Sequence, residues 1–187
     1  MAGPFPYHPY PIPPAAGARQ RSALSSRAIA LSPGIRHQAV VLRLAAALVR
    51  HADDSGQGQV LQSPCCAILD RHTALRPDIL FVRHSRRGIL GKRNLHGVPD
   101  LAVEVFPRMR PIEAPGKLKG ECFRHGVPEF WTVDTGRRCV ATMIWSELGY
   151  VLTGSFRGPD LLVSPLLPDF GLEVSRLFNP GRARPTR

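Results

Sequence analysis

Two strand-like runs of this chain carry carboxylates at positions that a buried strand normally fills with apolar side chains. The first reads RPDILFV over residues 76–82, and the second reads PDLAVEVF over residues 99–106. A carboxylate within an apolar strand is costly to bury unless a cation or a metal ion lies beside it. We therefore expect a fold in which these carboxylates meet such a partner.

Strand periodicity predicts which of these side chains point together. Successive residues of a strand alternate between faces, so Glu104 and Asp100 share one face, whereas Asp78 points with Leu80. If the two runs pair, Asp78 and Glu104 converge, and with a backbone carbonyl beside Glu104 they form an oxygen site suited to Mg²⁺. Asp100 is interpreted as a turn residue, with a metal ligand as the alternative. Two alternatives remain open: Asp78 caps a strand or turn, and Glu104 forms an ion pair with an arginine.

The charge of the chain favours a polyanionic partner. Its 187 residues contain 25 Lys and Arg against 14 Asp and Glu, a formal net charge of +11. Such a field favours nucleic acid or another polyanion, and a solvated basic surface is the alternative. No acidic residue precedes Asp53. Arg36, Arg43 and Arg50 recur every seven residues of a predicted helix and form either a phosphate-tracking stripe or a solvated face.

Composition along the chain predicts one structured domain between two tails. Residues 1–31 are rich in proline and arginine and are expected to be disordered. Residues 32–179 form the domain, and residues 180–187 form a basic tail. The apolar run over residues 39–49 is too short to span a bilayer. The four cysteines form no CxxC pair, which is typical of reduced thiols. We expect a cytoplasmic protein without membrane contact.

The order of predicted elements indicates an α/β fold. A helix follows Pro33, four strands follow it, a second helix runs from Ala114 or Pro115 to His125, and three strands and a short last helix complete the domain. This order predicts a mixed β-sheet flanked by helices. A loop rich in basic residues is expected over residues 84–97.

The chain resembles the large bacterial family called "putative restriction endonucleases", within the PD-(D/E)xK nuclease superfamily. The segments SPGIRHQ, RPDILFV, GVPDLAVEVF, KLKGECFRHGVPEFWTVD and SPLLPDF carry the resemblance, over roughly residues 32–178. It implies a restriction-endonuclease-like fold and a site with Mg²⁺ or Mn²⁺ and, together with the charge of the chain, DNA as the partner. It implies Asp78 and Glu104 as metal ligands, and Lys117 as the catalytic lysine with Lys119 as the alternative.

The chain also departs from the pattern of that family. It has no glutamate ahead of its first strands, PRM follows Phe106 in place of a Ser-Pro-Ser segment, and Gly120 and Cys122 interrupt the lysine-bearing helix. Three hypotheses follow. The chain is a Mg²⁺-dependent DNA endonuclease, a catalytically inactive nucleic-acid-binding descendant of the fold, or a decayed product without stable function. The oligomeric state is not determined by the sequence, and a homodimer is one alternative.

Overall fold

The computed structural model describes residues 34–106 and 116–179. The predicted leader at 1–31, the tail at 180–187 and the segment 107–115 lie outside this description. The elements are α1 (Ile35–Ser55), β1 (Gly58–Gln62), β2 (Ala67–Ile68), β3 (Ala74–Leu75), β4 (Ile79–Arg83), a 3₁₀ helix (His84–Ile89), β5 (Leu95–His96), β6 (Leu101–Phe106), α2 (Gly116–Arg124), β7 (Glu129–Asp134), β8 (Cys139–Ser146), β9 (Gly149–Arg157), β10 (Leu161–Leu162), β11 (Leu172–Glu173) and α3 (Ser175–Phe178).

The long first helix forms because its apolar residues recur at helical spacing. Val40, Val41, Leu44 and Leu48 are buried along one side of α1. The helix ends at Gly56, whose φ of 65° lies in the left-handed region that glycine adopts without a steric penalty. The buried side packs on the sheet and leaves the arginines of α1 on other sides.

A six-stranded mixed sheet forms the centre of the fold, in the order β1-β4-β6-β7-β8-β9. Each neighbouring pair is antiparallel except β6 and β7, which are parallel. A parallel pair needs a crossover connection, and α2 lies in that connection. The mixed sheet flanked by helices that the sequence predicts is therefore confirmed.

Apolar side chains cover both faces of this sheet. One cluster joins α1 to Ile79, Phe81, Val103 and Trp131 and includes the segment after β9. The other joins Leu80, Ala102 and Phe130 to Cys122 of α2 and to the small sheet β3-β2-β5. Because neighbouring strand residues alternate between the clusters, the face that carries Ala102 also carries Glu104.

A buried carboxyl ties the segment after β9 to the sheet. Glu129 is 1% exposed, and its oxygens accept hydrogen bonds from Trp131 Nε1 at 2.6 Å, from Ser164 Oγ at 2.9 Å and from the backbone N–H of Leu166 at 3.0 Å. Burial raises the pKa of Glu129, and these three donors oppose the rise. Such a satisfied polar network holds the segment in one place.

The short elements are where the structure departs from the predicted pattern. The expected loop over 84–97 contains a 3₁₀ helix and the strand β5, and two of the strands before β4, namely β2 and β3, have only two residues each. Two residues are too few to show the alternation of a strand in the sequence. These short strands form because their backbones pair with segments that are distant along the chain. Within the described ranges, no helix is long and apolar enough to cross a membrane.

Candidate active site

The antiparallel pairing of β4 with β6 brings two carboxylates to directly opposite positions. The register pairs Ile79 with Val103 and Leu80 with Ala102, so one step further along it places Asp78 opposite Glu104. Side chains at opposite positions have Cβ atoms about 5 Å apart, and like charges there repel each other. The structure therefore brings together two of the residues that the sequence analysis singled out.

Two donors hold one oxygen of Asp78. The backbone N–H of Val105 donates to Asp78 Oδ2 at 2.8 Å, and His37 Nε2 lies 3.2 Å from the same oxygen. The side chains of His37 and Asp78 are 12% and 17% exposed, respectively. Asp78 Oδ1 accepts no hydrogen bond from any residue that the structure describes. That oxygen is available to a ligand or a cation.

The environment of Glu104 disfavours its charged form. Burial raises the pKa of Glu104 to about 8, and the Asp78 carboxylate adds to the rise, while the backbone N–H of Asp78 opposes it. No Lys or Arg within residues 34–106 and 116–179 forms an ion pair with Glu104. The alternative of an arginine partner for Glu104 therefore has no support in the described part of the chain. A cation at this position would favour the ionised form.

Packing of α2 against the sheet sets the direction of its two lysines. Cys122 is fully buried in the apolar cluster on the sheet face that carries Glu104, and its pKa is raised to about 12, chiefly by burial and next by the charge of Glu104. At about 100° per residue, Lys119 lies about 60° around the helix from Cys122, whereas Lys117 lies about 140° away. Lys119 is half-buried and Lys117 is exposed. The helix thus turns Lys119 toward the carboxylates more than Lys117.

Asp100 takes a structural position at the opposite end of β6. It is 3% exposed, and it accepts hydrogen bonds from Arg86 Nη1 at 2.9 Å and from the backbone N–H of Arg83 at 2.9 Å. A buried carboxylate with these two partners is satisfied without a metal ion. Asp100 therefore anchors the start of β6.

The donor atoms around Asp78 and Glu104 fit a hard divalent cation. Both side chains offer carboxylate oxygens, which Mg²⁺ prefers, and their mutual repulsion is relieved when a cation lies between them. The described residues contain no cluster of three or more His, Cys, Asp and Glu that could hold a metal. A cation on this pair would complete its coordination with water and substrate oxygens, as Mg²⁺ commonly does.

The contact between His37 and Asp78 was not expected from the sequence, although His37 belongs to one of the segments that carry the family resemblance. The two residues are separated by 41 positions, and the contact exists because the start of α1 reaches the end of the sheet where β4 begins. Nδ1 of His37 is buried and has no hydrogen-bond partner among the described residues. In the neutral tautomer whose Nε2 donates to Asp78, Nδ1 is the acceptor nitrogen.

Comparison with known families agrees with this arrangement. Residues 12–175 match the Uma2 family, described as "Putative restriction endonuclease". The chain belongs to this family. The match begins at residue 12, inside the segment for which the composition predicts disorder. It includes Asp78, Glu104 and both lysines of α2.

A solved structure shows the same fold as this Uma2-family chain. The structure is described as "a putative nuclease belonging to DUF820 from Anabaena variabilis", and it is 17% identical to the chain with a TM-score of 0.60. The similarity covers 78% of the Uma2-family chain and 82% of the solved one. The predicted restriction-endonuclease-like fold is thereby confirmed. No curated protein matches the sequence.

Proposed function

We propose that the protein is a divalent-metal-dependent nuclease that hydrolyses phosphodiester bonds in DNA. The observation that carries the proposal is the pairing of Asp78 with Glu104 across β4 and β6, in a partly buried position where Glu104 has no basic partner among the described residues. Membership of a family described as putative restriction endonucleases supports the same reaction.

In the proposed reaction, Asp78 and Glu104 hold Mg²⁺ or Mn²⁺. Asp78 would bind through Oδ1, because Val105 and His37 already engage Oδ2. Glu104 would bind in its ionised form and therefore lose the proton that its pKa of about 8 favours. When bound, the metal ion supplies an activated water and stabilises charge on the phosphate.

Two further side chains have assigned roles in this proposal. Lys119 is the catalytic lysine, because α2 turns it toward Glu104 more than it turns Lys117. Its ammonium would orient the attacking water or stabilise the charge that develops on the phosphate. His37 is a positioning residue, because its contact is with Asp78 Oδ2 and not with the oxygen assigned to the metal.

The experiment is a plasmid-nicking assay with wild-type protein and two variants. Glu104→Gln removes a metal ligand and keeps the side-chain volume, whereas Glu147→Gln makes the same chemical change at an exposed turn residue. We expect nicking by wild type and Glu147→Gln with Mg²⁺ or Mn²⁺, none with EDTA, and none by Glu104→Gln. Nicking that persists in EDTA, or equal nicking by Glu104→Gln, contradicts the proposal.

A second function, nucleic-acid binding without cleavage, is favoured by the charge of the chain. The formal net charge of +11 supports affinity for phosphate whether or not the carboxylates hold a metal ion. Salt-sensitive DNA binding by a wild-type protein that never nicks DNA would favour this second function over the first.

A further inference from the structure

A pocket lined by three arginines lies at the start of α1, outside the set of residues assigned to hydrolysis. Its volume is about 310 Å³, and its polar lining comes from Arg36 and Arg43 of α1 and from Arg138 and Thr135 of the turn between β7 and β8. The remaining lining is apolar, from Ile35, Ala39, Val40 and Phe178. We name this site the arginine pocket.

The arginine pocket concentrates positive charge, and no carboxylate of residues 34–106 or 116–179 lines it. None of its three arginines forms an ion pair with any residue in 34–106 or 116–179. Three arginines that line one cavity place like charges near each other, and like charges repel. An anion bound between them removes this repulsion and accepts hydrogen bonds from several of their N–H groups.

Hydrogen bonds engage two of these guanidinium groups. Arg43 Nη1 donates to the carbonyl of Leu177 at 2.7 Å, and Arg138 Nη1 lies 3.4 Å from Asn179 Oδ1. Each uses one of the five N–H donors of its guanidinium. The remaining donors are thus oriented before an anion arrives, which lowers the entropic cost of binding.

The turn that carries Arg138 is built in an unfavourable backbone conformation. Arg138 has a φ of 54°, in the left-handed region that costs a non-glycine residue about 1–2 kcal/mol. Asp134 Oδ1 holds the turn by accepting hydrogen bonds from the backbone N–H groups of Gly136 and Arg137, both at 2.8 Å. Strained residues of this kind cluster where a ligand is bound.

The arginine pocket lies at the same end of the sheet as Asp78 and Glu104. Thr135 donates its backbone N–H to the carbonyl of Phe106 at 2.9 Å, two residues beyond Glu104 on β6. Strand geometry places Thr135 about 10 Å from Glu104, which corresponds to roughly three phosphates along the axis of one DNA strand. Arg36 is also the sequence neighbour of His37, which contacts Asp78.

We infer that the arginine pocket binds a backbone phosphate of the nucleic-acid strand, a few nucleotides from the phosphate that is hydrolysed. This inference rests on the proposed function for the identity of the ligand. Three arginines recur every seven residues along α1. Two of them, Arg36 and Arg43, line the pocket and are assigned to the phosphate, whereas Arg50 does not line it. A pocket of this size holds a phosphate group and part of its sugar.

The test measures DNA binding in EDTA, so that it does not depend on cleavage. Protein is titrated into a fluorescently labelled DNA duplex, and binding is followed by fluorescence anisotropy at a series of salt concentrations. The duplex has about 20 base pairs, so that it exceeds the span between the pocket and the carboxylates. The pocket variant carries Arg36→Gln and Arg138→Gly, and glycine at 138 suits the observed φ of 54°. The matched control carries Arg50→Gln and Arg71→Gln, two exposed arginines outside the pocket.

We expect the pocket variant to lose about 10- to 100-fold in affinity, and its slope of log K against log salt to become shallower by about 2. The control variant, with the same loss of charge, should lose less than about 3-fold, with a slope change under about 0.5. Equal losses in the two variants, or wild-type binding by the pocket variant, overturn the inference. Failure of the nicking assay alone leaves this binding result unchanged and overturns only the proposed hydrolysis.

Discussion

Val105 donates its backbone N–H to Asp78 Oδ2 at 2.8 Å, which fixes the carboxylate at the start of β4 to the strand that carries Glu104. The bond uses a backbone group that lies next to Glu104 in sequence. Because this oxygen is engaged, the carboxylate of Asp78 presents its other oxygen, Oδ1, to a ligand. A backbone donor cannot be lost by substitution at 105, except by proline, so the orientation of Asp78 is protected.

Substitution of His37 tests whether it positions Asp78. We expect His37→Ala to lower metal-dependent nicking by about 10- to 100-fold, the usual cost of losing a partner that orients a metal ligand. His37→Gln, whose amide can still donate to Asp78 Oδ2, should recover part of the activity. His72→Ala, at an exposed histidine, is the control. Full activity in His37→Ala with an unchanged Mn²⁺ affinity would show that the contact has no functional role.

The two lysines of α2 are separated by substituting each with methionine. Lys119→Met should lower nicking by at least about 100-fold, the lower range for loss of a catalytic proton-transfer or charge-stabilising group. Lys117→Met should change it by less than about 3-fold, because this side chain is exposed and lies about 140° around the helix from Cys122. Mn²⁺ affinity should stay the same in both, since neither lysine is a ligand. The reverse order of effects would restore Lys117 as the catalytic lysine.

Stability of the metal-free protein should depend on pH through Glu104. Its folded pKa of about 8 lies above the ordinary value of 4.5, so the folded state binds the proton more tightly than the unfolded state. The free energy of unfolding therefore falls as pH rises from about 5 to about 8. Glu129 contributes with the same sign, so the measurement compares wild type with Glu104→Gln in EDTA by urea unfolding. Glu104→Gln should show the smaller fall. Identical pH profiles of the two proteins would mean that Glu104 in the folded wild type is ionised over this pH range, which contradicts the raised pKa.

Alanine substitutions at Gly58 and Gly120 should change the stability of the protein in opposite directions, which tests the described packing. A Cβ at Gly58 would lie 2.2 Å from the carbonyl oxygen of Val82 and 2.5 Å from the ring of Phe81, so Gly58→Ala should cost about 1–3 kcal/mol. A Cβ at Gly120 meets nothing within 4 Å in the middle of α2, so Gly120→Ala should stabilise the protein by about 0.5–1 kcal/mol. Thermal unfolding of the two variants, in the absence of metal, measures both. Equal shifts in one direction would contradict the described packing.

The placement of Asp78 and Glu104 was predictable from the sequence, because the alternation of side chains between the two faces of a strand can be read from a few consecutive residues. PDILFV and DLAVEVF each reveal which side chains share a face, and the pairing of the strands then brings Asp78 and Glu104 together. The orientation of Lys117 and Lys119 relative to the carboxylates was not predictable, because it depends on how Cys122 packs under α2. The His37 contact and the position of Arg138 depend on chain segments that are distant in sequence. Their geometry arises only from tertiary packing.

Direct measurement of Mn²⁺ binding gives the clearest test of the proposed site. Isothermal titration calorimetry of wild-type protein at about pH 7 should show one ion bound, with release of nearly one proton in buffers of different ionisation enthalpy, because Glu104 is largely protonated below its pKa of about 8. Asp78→Asn and Glu104→Gln should each weaken binding by at least about 10-fold, and Glu147→Gln should bind as wild type does. The proposed site would be contradicted by wild-type protein that binds no Mn²⁺, or by unchanged binding in both site variants.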